Sequence, residues 1–176
     1  TTRIMEHNHE ACPNANYVGI EVAEGFFGNI DKRKVELDKK YPDTSVEFIK
    51  DDIRNYEFEN CSLITSLFTL QFMPYFSRAQ VIQNVYNGLN EGGAFIFGEK
   101  IDTSHSRIEN MLRTIYYDFK NQKFEYEDIM QKEKTLQNML KPNSWNEIEV
   151  MLDSAGFKAV QSFWQNHLFI GAIAIK

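Results

Sequence analysis

Apolar and polar positions along this chain follow two rhythms, and the switches between them mark its elements. Short apolar or alternating runs with strand character occupy residues 17–22, 45–49, 62–67, 94–100, 159–165 and 169–176. Helical spacing fills the intervals. Residues 1–8 read as the tail of a helix, 23–41 carry Ile30, Lys34, Leu37 and Tyr41 on one stripe, and 77–89 are amphipathic. Pro13-Asn14-Ala15-Asn16 and Pro42-Asp43 are breaks, and Gly88-Leu89-Asn90-Glu91-Gly92-Gly93 is a structural turn in which glycine permits conformations that a side chain blocks.

Beyond Lys100 the pattern becomes helical for a long stretch. Residues 107–121 and 126–140 predict two successive helices, with Met111, Ile115, Phe119, Ile129, Leu136 and Leu140 as buried candidates. Lys141-Pro142-Asn143-Ser144 breaks the pattern, and a third helix over 145–155 ends at Gly156, a left-handed cap. The last two strands are a few residues apart, so they are expected to pair antiparallel. The sum is an α/β, doubly wound sheet, mostly parallel and closed by a C-terminal antiparallel hairpin. One domain over 1–176 is expected, with a helical insertion at about 103–142. Such sheets bind ligands beyond the carboxyl ends of their strands.

A chain of 176 residues with 43% hydrophobic content supports one core, and 14 phenylalanines predict an aromatic-rich one. The formal charge of −6 disfavours direct, tight nucleic-acid binding. The basic run Lys32-Arg33-Lys34 is countered by Glu36 and Asp38 and reads as a solvated helix face. Cys12 and Cys61 lack metal-type spacing, and His7, His9, His105 and His167 are scattered, so no metal is expected. No apolar run approaches the roughly 20 residues that span a bilayer, and no signal peptide is visible. The expected setting is cytoplasmic and reducing, away from membranes.

Candidate chemistry sits at the strand ends. Glu21 closes the first strand, where a doubly wound fold places a carboxylate on the ribose hydroxyls of an adenosine cofactor. Asp52 follows the next strand, positioned for an adenine amino group, with Ile53 as an apolar wall against the ring. Leu67 and the crest Phe68-Thr69-Leu70-Gln71-Phe72 leave the third strand, where the reacting end of a cofactor would lie; Phe68 and Phe72 are equally suited to capping the core.

Several segments then carry a resemblance. Asp52-Ile53-Arg54, Phe68-Thr69-Leu70-Gln71-Phe72, Gly88-Leu89-Asn90 with Gly92-Gly93-Ala94, Glu99-Lys100, Asp118-Phe119-Lys120, Gln131-Lys132, Leu136 with Asn138, Ala155-Gly156-Phe157, Trp164 and Gly171 match one family. The chain resembles class I S-adenosylmethionine-dependent methyltransferases and, within them, the carboxy-S-adenosyl-L-methionine synthases, from residue 17 onward. The resemblance implies S-adenosyl-L-methionine or carboxy-S-adenosyl-L-methionine as cofactor and prephenate as donor of the carboxyl carbon. It also implies a homodimer through the helices after Lys100, and a product used to modify the wobble uridine of tRNA.

Three departures qualify what the resemblance implies. The sequence starts just beyond the family's glycine-rich loop, so the first strand is expected to be absent and the isolated segment poorly folded. The family has Asn where this chain has Leu67. Where the family places an Arg that pairs with the extra carboxylate of its cofactor, Glu133 stands in the simplest register and Lys134 in the next. A lysine would pair with that carboxylate as a point charge, whereas a glutamate would repel it and favour an ordinary methyltransferase using plain S-adenosylmethionine. A non-catalytic remnant of the fold is the other alternative. A nicotinamide oxidoreductase would use Glu21 similarly, but the terminal hairpin and the lack of a Tyr-x-x-x-Lys pair argue against it.

Overall fold

The computed structural model describes residues 2–176, and its contacts divide the chain into two compact units, Thr1–Glu57 and Phe58–Lys176. The first unit runs α1 (Thr2–Asn8), β1 (Asn16–Glu21), a 3-10 turn (Glu24–Phe26), α2 (Phe27–Lys40) and β2 (Ser45–Lys50). Strands β1 and β2 pair in parallel with Asn16 opposite Ser45 and Glu21 opposite Lys50, so both strands end at the same edge. Met5, Leu37 and Val46 form a small core, flanked by Tyr17, Tyr41 and Phe48.

The helix predicted from residue 23 begins four residues later, because its first turn winds as the tighter 3-10 form. Lys39 and Lys40 lie in its last turn, where cations complement the helix dipole. Of the basic run Lys32 is exposed, while Arg33 and Lys34 are half-buried: Arg33 pairs with Glu6 of α1 at 2.7 Å and with Glu36 at 3.0 Å, and Lys34 with Asp38 at 2.8 Å.

The second unit contains β3 (Cys61–Leu67), a 3-10 turn (Leu70–Phe72), α3 (Tyr75–Gly88), β4 (Leu89–Asp102), α4 (Ser106–Asn121), α5 (Tyr126–Gln137), β5 (Asn143–Ser144), α6 (Trp145–Ala155), β6 (Ala159–Asn166) and β7 (Phe169–Ile175). The sheet order is β3-β4-β7-β6, with β3 parallel to β4 and β7 antiparallel to both β4 and β6. The terminal hairpin therefore forms as its short connection requires. Alternation along β4 buries Phe95, Phe97, Glu99 and Ile101 on one face. Val81, Ile82 and Val85 of α3, Ile148 and Leu152 of α6, and Ala172 and Ala174 of β7 complete the core. Helix α6 opens on a Ser144–Glu147 capping box and closes on Gly156 at φ 107°, a left-handed conformation that favours glycine.

Several expectations are corrected. The turn drawn over 88–93 lies partly within β4, because Leu89 already pairs with Cys61 before the register shifts. Gly88 ends α3 against Phe58, whose backbone leaves no room for a β-carbon. The break before α6 contains β5, whose Asn143 pairs with Ile101. The core is mainly aliphatic, threaded by a stack of Phe95, Phe97, Phe157 and Trp145. Helix α4 buries no residue: Met111, Ile115 and Phe119 are 59%, 51% and 51% exposed, although they share one face. In α5 Ile129 is buried as expected, while Leu136 is half-buried. Among the described residues β1 pairs only with β2, and β3 only with β4.

Candidate functional site

In the first unit, the parallel register brings Glu21 and the Asp51-Asp52-Ile53 turn to one edge. Asp51 N–H donates to the Glu21 carbonyl at 3.2 Å. The Glu21 carboxylate accepts from Ala23 N–H at 2.8 Å, which holds it at the strand end instead of letting it swing into solvent. Asp51 Oδ1 accepts from Asp52 N–H at 2.7 Å. Asp52 is gripped by Arg54: the arginine backbone N–H donates at 3.0 Å and its Nε at 2.9 Å, and the terminal Nη2 makes a further close pair. Those Arg54 hydrogen bonds hold the Asp52 carboxyl below its ordinary range, so it is ionised at neutral pH. Ile53 is half-buried beside it. The sequence placed these three residues, but it missed Arg54 as the partner that orients Asp52.

In the second unit, Leu67 ends β3 at 59% exposure. Phe68 follows with φ 56°, a left-handed conformation that is strained for a bulky residue. Its N–H donates to Gly98 O at 2.6 Å, and its ring meets Phe169 edge-on at 5.7 Å. Beneath this crest lies a buried polar cluster that sequence reasoning passed over. Glu99, only 2% exposed, accepts from the backbone N–H groups of Thr69 (3.1 Å), Leu70 (3.0 Å) and Gln71 (3.0 Å). Arg78, 1% exposed, donates to Met73 O at 2.7 Å and to Asn143 Oδ1, and its guanidinium lies 4.4 Å from the Tyr75 ring centroid. A signal for Glu99 was present: in the alternation of residues 94–101 an acid occupies a position whose neighbours of like parity, Phe97 and Ile101, are core residues.

Helices α4 and α5 carry a second polar group. Glu133 pushes the Tyr116 and Tyr117 phenols up, adding to burial, and opposes the downward push of burial on the Lys100 ammonium. Arg113 pairs with Glu109. Burial raises the Asp102 carboxyl, and its hydrogen bond with Glu109 raises it further while lowering Glu109. Lys120 lies over the Tyr116 ring at 4.9 Å, and Tyr116 packs on His167 and Phe169 at 5.6 Å each. Lys134 is exposed. Of the two residues that the registers allow, Glu133 is the one that acts on the tyrosines and Lys100. Among the described residues, no group of three or more His, Cys, Asp or Glu is arranged to hold a metal, and no helix is long and apolar enough to cross a membrane.

No protein-family model matches the chain. It is 35% identical over 164 residues to the carboxy-S-adenosyl-L-methionine synthase of Staphylococcus epidermidis, covering 93% of this chain and 69% of that protein. It is 32% identical over 165 residues to the synthase of the same name from Actinobacillus succinogenes, covering 93% and 67%. Among solved structures, PigF with SAH superposes with a TM-score of 0.65 at 14% identity, over 99% of this chain and 48% of that one. At that identity the likeness concerns the fold, and the chain spans about half the length of the solved protein.

The buried acid has a thermodynamic consequence. Burial lifts the Glu99 carboxyl from 4.5 to about 7, against the pull of the Gln71, Leu70 and Thr69 N–H groups and of Arg78. The folded state then holds the proton more tightly than the unfolded chain. This stabilisation is fully present below the ordinary carboxylate value and is lost as pH rises through about 7. The displacement corresponds to about 3 kcal/mol. Urea unfolding of wild type relative to Glu99→Gln should therefore lose about that much between pH ~4.5 and ~8; a stability difference that is flat with pH would contradict it.

Proposed function

The chain belongs to the carboxy-S-adenosyl-L-methionine synthase family and has the Rossmann-like methyltransferase fold, and on that premise we propose that it is an S-adenosylmethionine-dependent transferase whose first unit grips the adenosine half of the cofactor. The observation that carries this reading is the β1–β2 register, which sets Glu21 beside Lys50 and so joins two strand-end carboxylates at one edge. The donor set fits: Glu21 supplies acceptor oxygens for a ribose diol, Asp52 is ionised and oriented by Arg54, and Ile53 offers an apolar surface to a purine. When bound, the cofactor supplies a sulfonium-activated carbon. The tasks of the first unit are to bind and to orient that cofactor.

Within this reading the family favours the carboxylated cofactor, with prephenate as the small-molecule carboxyl donor and a product serving tRNA modification in the cytoplasm. One observation favours a second reading. Glu133, not Lys134, acts on Tyr116, Tyr117 and Lys100. Two like charges about 4 Å apart cost about 4 kcal/mol at an effective dielectric near 20, which would disfavour an extra cofactor carboxylate there. Lys100 and Arg113 bring compensating positive charge to the same group of side chains, which keeps the first reading in place. Homodimerisation draws support from α4, whose exposed Ile108, Met111, Ile115 and Phe119 recur at helical spacing on one face.

Three outcomes follow. Charge-assisted hydrogen bonds contribute about 1.5–3 kcal/mol, so Glu21→Ala should weaken S-adenosylmethionine binding by roughly tenfold or more in calorimetry. Unchanged affinity would remove Glu21 from the site. In competition between the plain and carboxylated cofactors, Glu133→Arg should shift preference towards the carboxylated form while Lys134→Ala leaves it unmoved; the reverse pattern would put Lys134 in the site. Ile115→Glu should turn a dimer into a monomer in sedimentation, and an oligomeric state indifferent to this change would discard α4 as the interface.

A further inference from the structure

We propose that Glu99 is a positioning residue: its carboxyl group fixes the crest 68–72 at the carboxyl end of β3 by accepting from three successive backbone N–H groups. Three consecutive β4 residues hold the segment. The Gly98 carbonyl accepts from Phe68 N–H at 2.6 Å, the Glu99 carboxylate from Thr69, Leu70 and Gln71, and Lys100 N–H donates to Gln71 Oε1 at 2.7 Å. The three N–H groups that reach Glu99 open the 3-10 turn Leu70–Phe72, where a helical backbone has no partners of its own. Left unpaired in a buried setting they would be costly. Removing the Glu99 acceptor therefore frees all three together and removes the counterweight to the strain at Phe68.

The same device fastens the crest to the chain that returns from α5. Gln71 O accepts from Lys141 N–H at 2.9 Å, Tyr75 OH donates to Pro142 O at 3.0 Å, and Arg78 bridges Met73 O to Asn143. Asn143 in turn donates to Glu147 at 3.3 Å, in the box that starts α6. Arg78 of α3 is the charged group among the described residues that acts on Glu99, while Tyr75 and Glu147 act on Arg78. Lys100, next along β4, is influenced by Glu133, Glu109, Arg113 and Lys120 of α4 and α5. Opposite Glu99 on β7 stands Ile170, which is uncharged. The crest is therefore fastened by Glu99, with Arg78 as its charged neighbour.

This inference rests on the proposed function only in taking the crest to face substrate, and its test separates the two. Amide hydrogen exchange on the full chain reads Thr69, Leu70 and Gln71 directly, as protection factors corrected for the intrinsic pH dependence. In wild type their protection at neutral pH should exceed that in Glu99→Gln roughly tenfold or more. In Glu99→Gln it should stay low, while core amides such as Val85 remain protected. Glu99→Gln amides protected like wild type would overturn the proposal. If the variant fails to fold, wild-type crest amides that exchange freely beside protected core amides overturn it by themselves. S-adenosylmethionine titrated into the same samples supplies the second readout. No binding, with the crest protection and its loss in Glu99→Gln intact, would sink the functional reading and leave the role of Glu99 standing.

Discussion

A carboxylate sealed inside the second unit constrains much of what surrounds it. Glu99 lies on the face of β4 that also carries Phe95 and Phe97, so a position shaped for a core side chain holds an ionisable group. Burying that charge is costly unless donors surround it. The donors come from three successive amides of the crest and, at longer range, from Arg78. This requirement ties the conformation after β3 to the end of β4, and Arg78 passes the constraint to Asn143 and the start of α6. The aromatic stack of Phe97, Phe95 and Phe157 then fills the adjoining core.

The first unit solves a simpler problem with shorter means. Two parallel strands in register deliver two acidic strand ends to one edge, and local hydrogen bonds fix each carboxylate: Glu21 through Ala23, Asp52 through Arg54. Both are side-chain acceptors satisfied by nearby chain, the usual way a turn holds an acid in one orientation. An edge of oriented acceptors beside a half-buried isoleucine suits a ligand with a hydroxyl-rich end and a flat apolar ring. That match is the ground on which the proposed adenosine contact rests.

Much of the fold was legible because strong local signals agreed with tertiary packing. The antiparallel hairpin followed from the short connection between β6 and β7, and α6 from its cap and Gly156. What failed was legible only in three dimensions. The apolar stripe of α4 reads as buried in sequence, yet it stays about half exposed with Phe119 against His167, since amphipathicity fixes a face but not what covers it. Strand β5 is two residues long and exists through its pairing with β4, so no periodicity could reveal it. The strand-end positions of Glu21, Asp52 and Leu67 were legible because strand ends are readable. The choice between Glu133 and Lys134 was not, because one residue turns a helix by about 100° and only the fold says which side faces α4. Arg78 stayed hidden because a charged residue near a helix start ordinarily reads as solvent-exposed.

The central claim is that the β1–β2 edge holds the adenosine half of the cofactor. Backbone NMR of the protein titrated with S-adenosylhomocysteine tests it most directly, since the reporting amides lie at that edge. The account predicts saturable shifts at Ala23, Asp51, Asp52, Ile53 and Arg54. Saturable binding that leaves those amides unmoved would contradict it.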